Sequence, residues 1–120
     1  MEKQIIFKII KSHQTEYLDP IKVVAGDHLK LGDYASESKW KDWIWAENSQ
    51  NQAGWVPVQL VDFSKDKLSG FILEDFDAHE LNIEVGELVT RLKSINGWSL
   101  VIKLNDNSKG WIPNENMEVN

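Results

Sequence analysis

Short runs rich in β-branched and aromatic residues alternate with polar turns along the whole chain, and no window sustains the single apolar stripe of an amphipathic helix. The pattern predicts an all-β fold in which helix is scarce. Strands are expected over 5–10, 28–34, 43–47, 54–56 and 59–61, and again over 70–73, 88–93, 98–104, 110–112 and 115–119. Ile95-Asn96-Gly97-Trp98 sets Asn-Gly between two apolar runs, the pair that accepts positive φ in a tight hairpin turn. Asp19-Pro20 places a rigid bend ahead of Ile21-Lys22-Val23, because proline fixes φ and has no N–H to give to a ladder.

The same punctuation occurs twice. Gly26-Asp27, Trp43 and Gly54-Trp55-Val56-Pro57 reappear as Gly86-Glu87, Trp98 and Gly110-Trp111-Ile112-Pro113, each about 55 to 60 residues further on. Each repeat is expected to fold as one small module of about five strands, a barrel or a sandwich. This predicts a first domain over 1–62, a short linker over 63–69 and a second domain over 70–120. The linker Phe63-Ser64-Lys65-Asp66-Lys67-Leu68-Ser69 is polar and charged, and too short to let the modules move far apart. The first repeat has 17 positions from Gly26 to Trp43 where the second has 12 from Gly86 to Trp98, and the extra loop carries Trp40 between two lysines.

Modules of this size sit near the lower limit for a self-sufficient core, and the chain has no cysteine to staple them. Six tryptophans supply the dense packing instead. The net charge of −6 falls mostly on the second half, where 63–120 holds 6 basic against 10 acidic residues. No basic stripe exists to displace counterions from phosphates, so nucleic acid is not an expected partner and a basic one is. The opening apolar run is broken by Lys8 and lacks a small-residue cleavage site, so it reads as a strand and not as an export signal. No stretch approaches the roughly 20 apolar residues of a spanning helix, and a soluble, cytoplasmic protein is expected. His13, His28 and His79 are not spaced as metal ligands or as partners of a nucleophile, and neither Gly-x-Ser-x-Gly nor a phosphate loop is present. Neither enzyme activity, a metal nor a cofactor is expected.

Three motifs in order make the second repeat resemble the Src-homology-3 (SH3) family. Ile72-Leu73-Glu74-Asp75-Phe76 is similar to Ala-Leu-Tyr-Asp-Tyr, Glu80-Leu81-Asn82-Ile83-Glu84-Val85-Gly86-Glu87 to Glu-Leu-Ser-Phe-x-x-Gly-Asp, and Gly110-Trp111-Ile112-Pro113 to Gly-aliphatic-aliphatic-Pro. The first repeat keeps the Gly-acidic pair, the tryptophan and Gly-Trp-Val-Pro, but has no recognisable Ala-Leu-Tyr-Asp-Tyr segment. The whole chain resembles a bacterial tandem SH3-like protein. The resemblance implies two small β-barrels and, on each, an aromatic groove for an extended proline-rich peptide, with acidic loop residues for a basic residue of the ligand. It matches Trp98 to the groove tryptophan, Phe76 to the second motif tyrosine, Pro113 to the groove proline, and Asp77 and Glu80 to the acidic loop. The family's other two groove tyrosines are Glu74 and Asn116 here. In the first repeat Trp43 and Pro57 match, the following tyrosine position is Leu60, and Tyr17, with Glu16 and Asp19 near it, offers a ring from a different place.

Trp43 and Trp98 are therefore expected as partly exposed binding rings, Trp55 and Trp111 as packing, and Trp40 as a lid over the first groove or an interdomain contact. Trp43 and Trp45, alternating along a strand, are expected on opposite sides of it, with one of them in the core. Asp27 and Glu87, each following a glycine, are expected to brace turns by accepting backbone N–H groups. The expected activity is recognition of an extended, basic or proline-rich peptide of a protein partner. Two alternatives stand beside it: cell-wall binding, since bacterial SH3-like domains also resemble wall-targeting modules that hold peptidoglycan peptides, and a structural or regulatory subunit packed on one folded partner.

Overall fold

The described residues, 4–120 of a computed structural model, form twelve strands and three short 3-10 turns. Among them no helix is long and apolar enough to cross a membrane. In chain order the strands are β1 (Ile6–Ile9), β2 (Lys22–Val23), β3 (His28–Tyr34), β4 (Trp43–Glu47), β5 (Ala53–Pro57), β6 (Val61–Phe63), β7 (Ser69–Ile72), β8 (Phe76–Asp77), β9 (Leu88–Ile95), β10 (Trp98–Lys103), β11 (Lys109–Pro113) and β12 (Met117–Val119). They make a five-stranded sheet β11-β10-β9-β1-β12, a second β5-β4-β3-β7-β6, and the two-stranded pair β2-β8. The fold is all-β, as the alternation predicts.

Period-two patterning accounts for the strands' inward faces: Leu29 and Leu31 on β3, Ile44 and Ala46 on β4, and Ser99 and Val101 on β10 are all buried. Two expected strands start late. Val58–Leu60 and Asn114–Asn116 each form a 3-10 turn after the repeat's proline, and pairing begins only at Val61 and Met117. β2 and β8 are too short for any alternation to reveal. The turn chemistry is as expected: Gly26 and Gly86 both have φ +94°, and Asn96 and Gly97 have φ 50° and 87°.

The compact units and the sequence repeats do not coincide. One unit joins the chain up to Glu16 with Glu80–Asn120, and the other is the continuous stretch Tyr17–His79. We call them the split unit and the inserted unit. Residues 63–69, expected as a linker, connect the paired strands β6 and β7 inside the inserted unit. Asp66 stabilises this hairpin, its Oδ1 accepting from Ser64 Oγ at 2.6 Å and Leu68 N at 2.9 Å, and these bonds lower its pKa.

Each unit takes its first strand from the other repeat. β1 of the first repeat is hydrogen-bonded between β9 and β12 of the second, while β7 of the second lies between β3 and β6 of the first. The junctions are equivalent: Ile9 N donates to Glu87 O (2.9 Å) and Gly86 N to Ile9 O (2.8 Å), just as Ile72 N donates to Asp27 O (2.9 Å) and Gly26 N to Ile72 O (2.8 Å). The split unit's core is accordingly built from both ends of the chain, with Phe7 and Ile9 packed among Leu81, Ile83, Val89, Val101, Ile112 and Met117.

Candidate functional site

In the split unit the site is built on β10 and β11. Trp98 begins β10 directly after the Asn-Gly turn and faces Pro113 across the strand pair. Its ring is half-buried. His13 packs edge-on against it, with ring centroids 5.6 Å apart and planes at 84°. His13 is fixed in turn by a backbone pair with Ile83, His13 N to Ile83 O at 3.0 Å and Ile83 N to His13 O at 2.9 Å. Its Nε2 lies 2.8 Å from Glu80 Oε1, and because an ionised carboxylate only accepts, Nε2 carries the proton and donates. Glu80 bridges to Trp111, whose carbonyl accepts the Leu81 N–H at 3.0 Å. The result is a half-buried indole and a half-buried carboxylate beside a buried proline.

Asn116 belongs to the same unit but to its interior, being 3% exposed. Its Nδ2 donates to the carbonyls of Lys11 and Ser12, both at 3.1 Å, and its own carbonyl accepts from Ile10 N at 2.8 Å. The side chain expected to line a groove is a clamp on the segment that brings His13 in. Amide geometry serves this purpose where a phenol would not, since it offers two N–H donors from one nitrogen.

The inserted unit arranges the equivalent residues differently. Trp43, expected as an exposed binding ring, is 7% exposed, and Phe76 beside it is 6% exposed, their centroids 6.4 Å apart. Pro57 pairs opposite Trp43 and is fully buried. These three form a closed apolar cluster. Phe76 reaches it because β8 pairs with β2, setting Phe76 against Val23. Asp77 is exposed, and its Oδ1 accepts the His79 N–H at 2.9 Å.

Half-buried rings gather one step along the same face of β4. Trp43 and Trp45, expected on opposite sides, share a face because residues two positions apart on a strand point the same way, Ile44 and Ala46 taking the other face; Trp45 pairs across to Trp55 with centroids 5.1 Å apart at 77°. Tyr17 completes the group, its centroid 6.1 Å from that of Trp45 and its Oη accepting from Trp55 Nε1 at 3.3 Å. Trp45 lies against β3 at Gly32, where a Cβ would stand 3.4 Å from Trp45 Cδ1, an ordinary van der Waals contact. The neighbouring turn is pinned by Asn48, which accepts from the N–H groups of Gln50 and Gln52, while Gln52 Nε2 donates to Asp19 Oδ1 at 3.1 Å. Trp40 ends a 3-10 turn in the same unit and is half-buried.

The residues that the repeat groups together are therefore redistributed. Glu80, Trp98, Pro113 and Asn116 lie in the split unit; Phe76 and Asp77, expected with them, lie in the inserted unit with Tyr17, Trp40, Trp43 and Pro57. His13 takes the place beside Trp98 that Phe76 was expected to fill. Sequence reasoning overlooked His13, Trp45 and, as a groove ring, Trp55. For His13 no local signal existed, because the first repeat lacks the motif that would align it with Phe76. Among the described residues no group of His, Asp or Glu side chains is placed to hold a metal ion. Compared with protein-family models, curated proteins and solved structures, the chain matches none of them.

Proposed function

We propose that each unit is an SH3-like barrel and that the protein is a non-enzymatic interaction protein which binds an extended, basic peptide segment of a protein partner at Trp98. The observation that carries this reading is the composition of the Trp98 cluster: a half-buried indole, Pro113 opposite it and the Glu80 carboxylate alongside. A partly exposed indole offers apolar area at little entropic cost, which makes such rings frequent anchors of interfaces. Glu84, four residues further along the same segment, accepts from Gln14 Nε2 at 3.3 Å and is a second acidic group on this unit. In the inserted unit the Trp43 cluster is closed and the half-buried rings are those of Tyr17, Trp45 and Trp55, so the two units present different surfaces.

The test is an amide NMR titration of the labelled protein with basic proline-rich peptides and, separately, with soluble peptidoglycan fragments. Shifts centred on His13, Glu80, Trp98 and Asn114, the residue after Pro113, with the peptides, lost in Trp98→Ala while the remaining spectrum is unchanged, are the expected outcome. Shifts only with wall fragments would assign the site to the cell wall instead.

A packing role on one folded partner has a separate observation in its favour. Ile6, Leu88 and Leu104 are 37%, 36% and 44% exposed on adjoining parts of the split unit, where Leu104 N bonds to Leu88 O. Absence of shifts with any peptide, together with capture of one folded protein that Leu88→Glu abolishes, would favour that role.

A further inference from the structure

The shared junctions with the Gly-acidic turns make β1 and β7 the same strand of the repeat, with Ile9 equivalent to Ile72. Counting back aligns Lys8 with Phe71 and Phe7 with Gly70. At that last position the two units differ in opposite senses. Phe7 is paired between Val89 and Val119, whereas Gly70 is paired between Leu29 and Phe63. A Cβ on Gly70 would stand 2.7 Å from the Asp62 carbonyl oxygen and 2.9 Å from Val61 Cγ1, so the inserted unit has no room there for any side chain. The split unit instead encloses a phenyl ring, which is 9% exposed with the Arg91 guanidinium 4.7 Å from its centroid. A glycine in that place would leave a void.

The two slots are thus selective. β1 cannot enter the inserted unit, and β7 cannot fill the split unit, which is why the strands cross between repeats within one chain. The same selectivity leaves β1 a single alternative acceptor, the split unit of a second copy. The piece that would travel is well defined. Residues 10–16 are bound to the split unit through the His13–Ile83 pair, the Asn116 amide and a bond from Thr15 N to Asn82 Oδ1 at 2.7 Å. Beyond them lies Leu18, 93% exposed, ahead of the Asp19-Pro20 bend.

We propose that two copies of this chain pair by trading the segment 4–16, each Phe7 seating between Val89 and Val119 of the other copy. Every contact of the split unit is the same whichever chain donates the strand, so only the local concentration of the chain's own strand opposes the exchange. In the pair, the His13 beside each Trp98 comes from the other copy. The exchange does not rest on the peptide-binding reading.

The chain has no cysteine, so an engineered pair reports the exchange without competing thiols. Lys8 and Leu88 face each other across antiparallel β1 and β9, a separation that a disulfide spans. Unmodified protein is unfolded and refolded at about 1 mM, the order of an intramolecular effective concentration, and again far more dilute, with mass read by light scattering after size exclusion. A dimer from the concentrated sample alone is expected. The reduced Lys8→Cys/Leu88→Cys variant is taken through the same steps, and its separated species are oxidised and run on a denaturing gel without reductant. The dimer should run as a covalent dimer, and the oxidised monomer should no longer dimerise when refolded concentrated. A monomer at every concentration, or a dimer that oxidation converts only to intrachain-linked monomer, overturns the proposal.

Discussion

Asn116 stands where the family resemblance implies a tyrosine, and its amide has a structural task of its own: without it two carbonyls, of Lys11 and Ser12, would lose their donor. Asn116→Ala should cost about 1–3 kcal/mol, the range for leaving buried polar groups unsatisfied, and urea unfolding monitored by tryptophan fluorescence measures it. An unchanged midpoint would mean the clamp contributes nothing. The Gly-acidic pairs behave as expected from sequence, since Asp27 Oδ2 accepts from Val24 N at 3.0 Å and Glu87 Oε2 from Glu84 N at 2.8 Å. That backbone bond holds the Glu87 carboxyl below the usual carboxylate range; desolvation opposes the shift and Lys103, 3.4 Å away, reinforces it. A carboxyl with a depressed folded-state pKa adds stability above its unfolded value of about 4.3, and that stability is lost as pH falls through the folded value. Urea midpoints of the wild type should therefore drop more steeply with acidification over roughly pH 5 to 3 than those of Glu87→Gln. Parallel curves would remove Glu87 from the acid response. At this scale the turn residues were legible because their partners lie three positions away. The exposure of Trp43 was not, because its ring is covered by Phe76, which is far away in sequence; Trp98 is half-buried, as expected.

The strands β3 and β4 have the limits the alternation predicts, and β9 and β10 differ from their expected ends by two residues or fewer. The failures of prediction at this scale sit where a 3-10 turn takes the first residues of an expected strand. β6 and β12 are examples, each delayed by a 3-10 turn in which the next backbone N–H returns to a carbonyl three residues back. The stretch 63–69 was misread because a polar hairpin tip and a polar linker have the same composition. What distinguishes them is Gly70 on β7, where the β6 backbone approaches closely. Gly70→Ala should destabilise the protein by about 1–3 kcal/mol through overpacking, detectable as a lower thermal midpoint. Wild-type stability in that variant would show that β6 and β7 are not so closely apposed.

Because each unit combines residues from both repeats, the chain cannot be divided at the hairpin into two independent modules. A protease site inserted between Asp66 and Lys67 should be cleaved without separating the fragments, since β1 remains hydrogen-bonded to β9 and β12, and β7 to β3 and β6. Co-elution of the two fragments on size exclusion under native conditions is the expected result. Separation into two folded pieces would contradict the exchange. The all-β class, the doubled pattern and most turns were determined by sequence alone, because alternation and turn chemistry act over a few neighbouring residues. Which first strand completes which unit, and hence whether Phe76 or His13 stands beside a given tryptophan, was decided only in the tertiary structure. That choice depends on the fit of side-chain volumes at Phe7 and Gly70 and on bonds such as Asn116 to Lys11, 105 positions apart, and no local pattern encodes either.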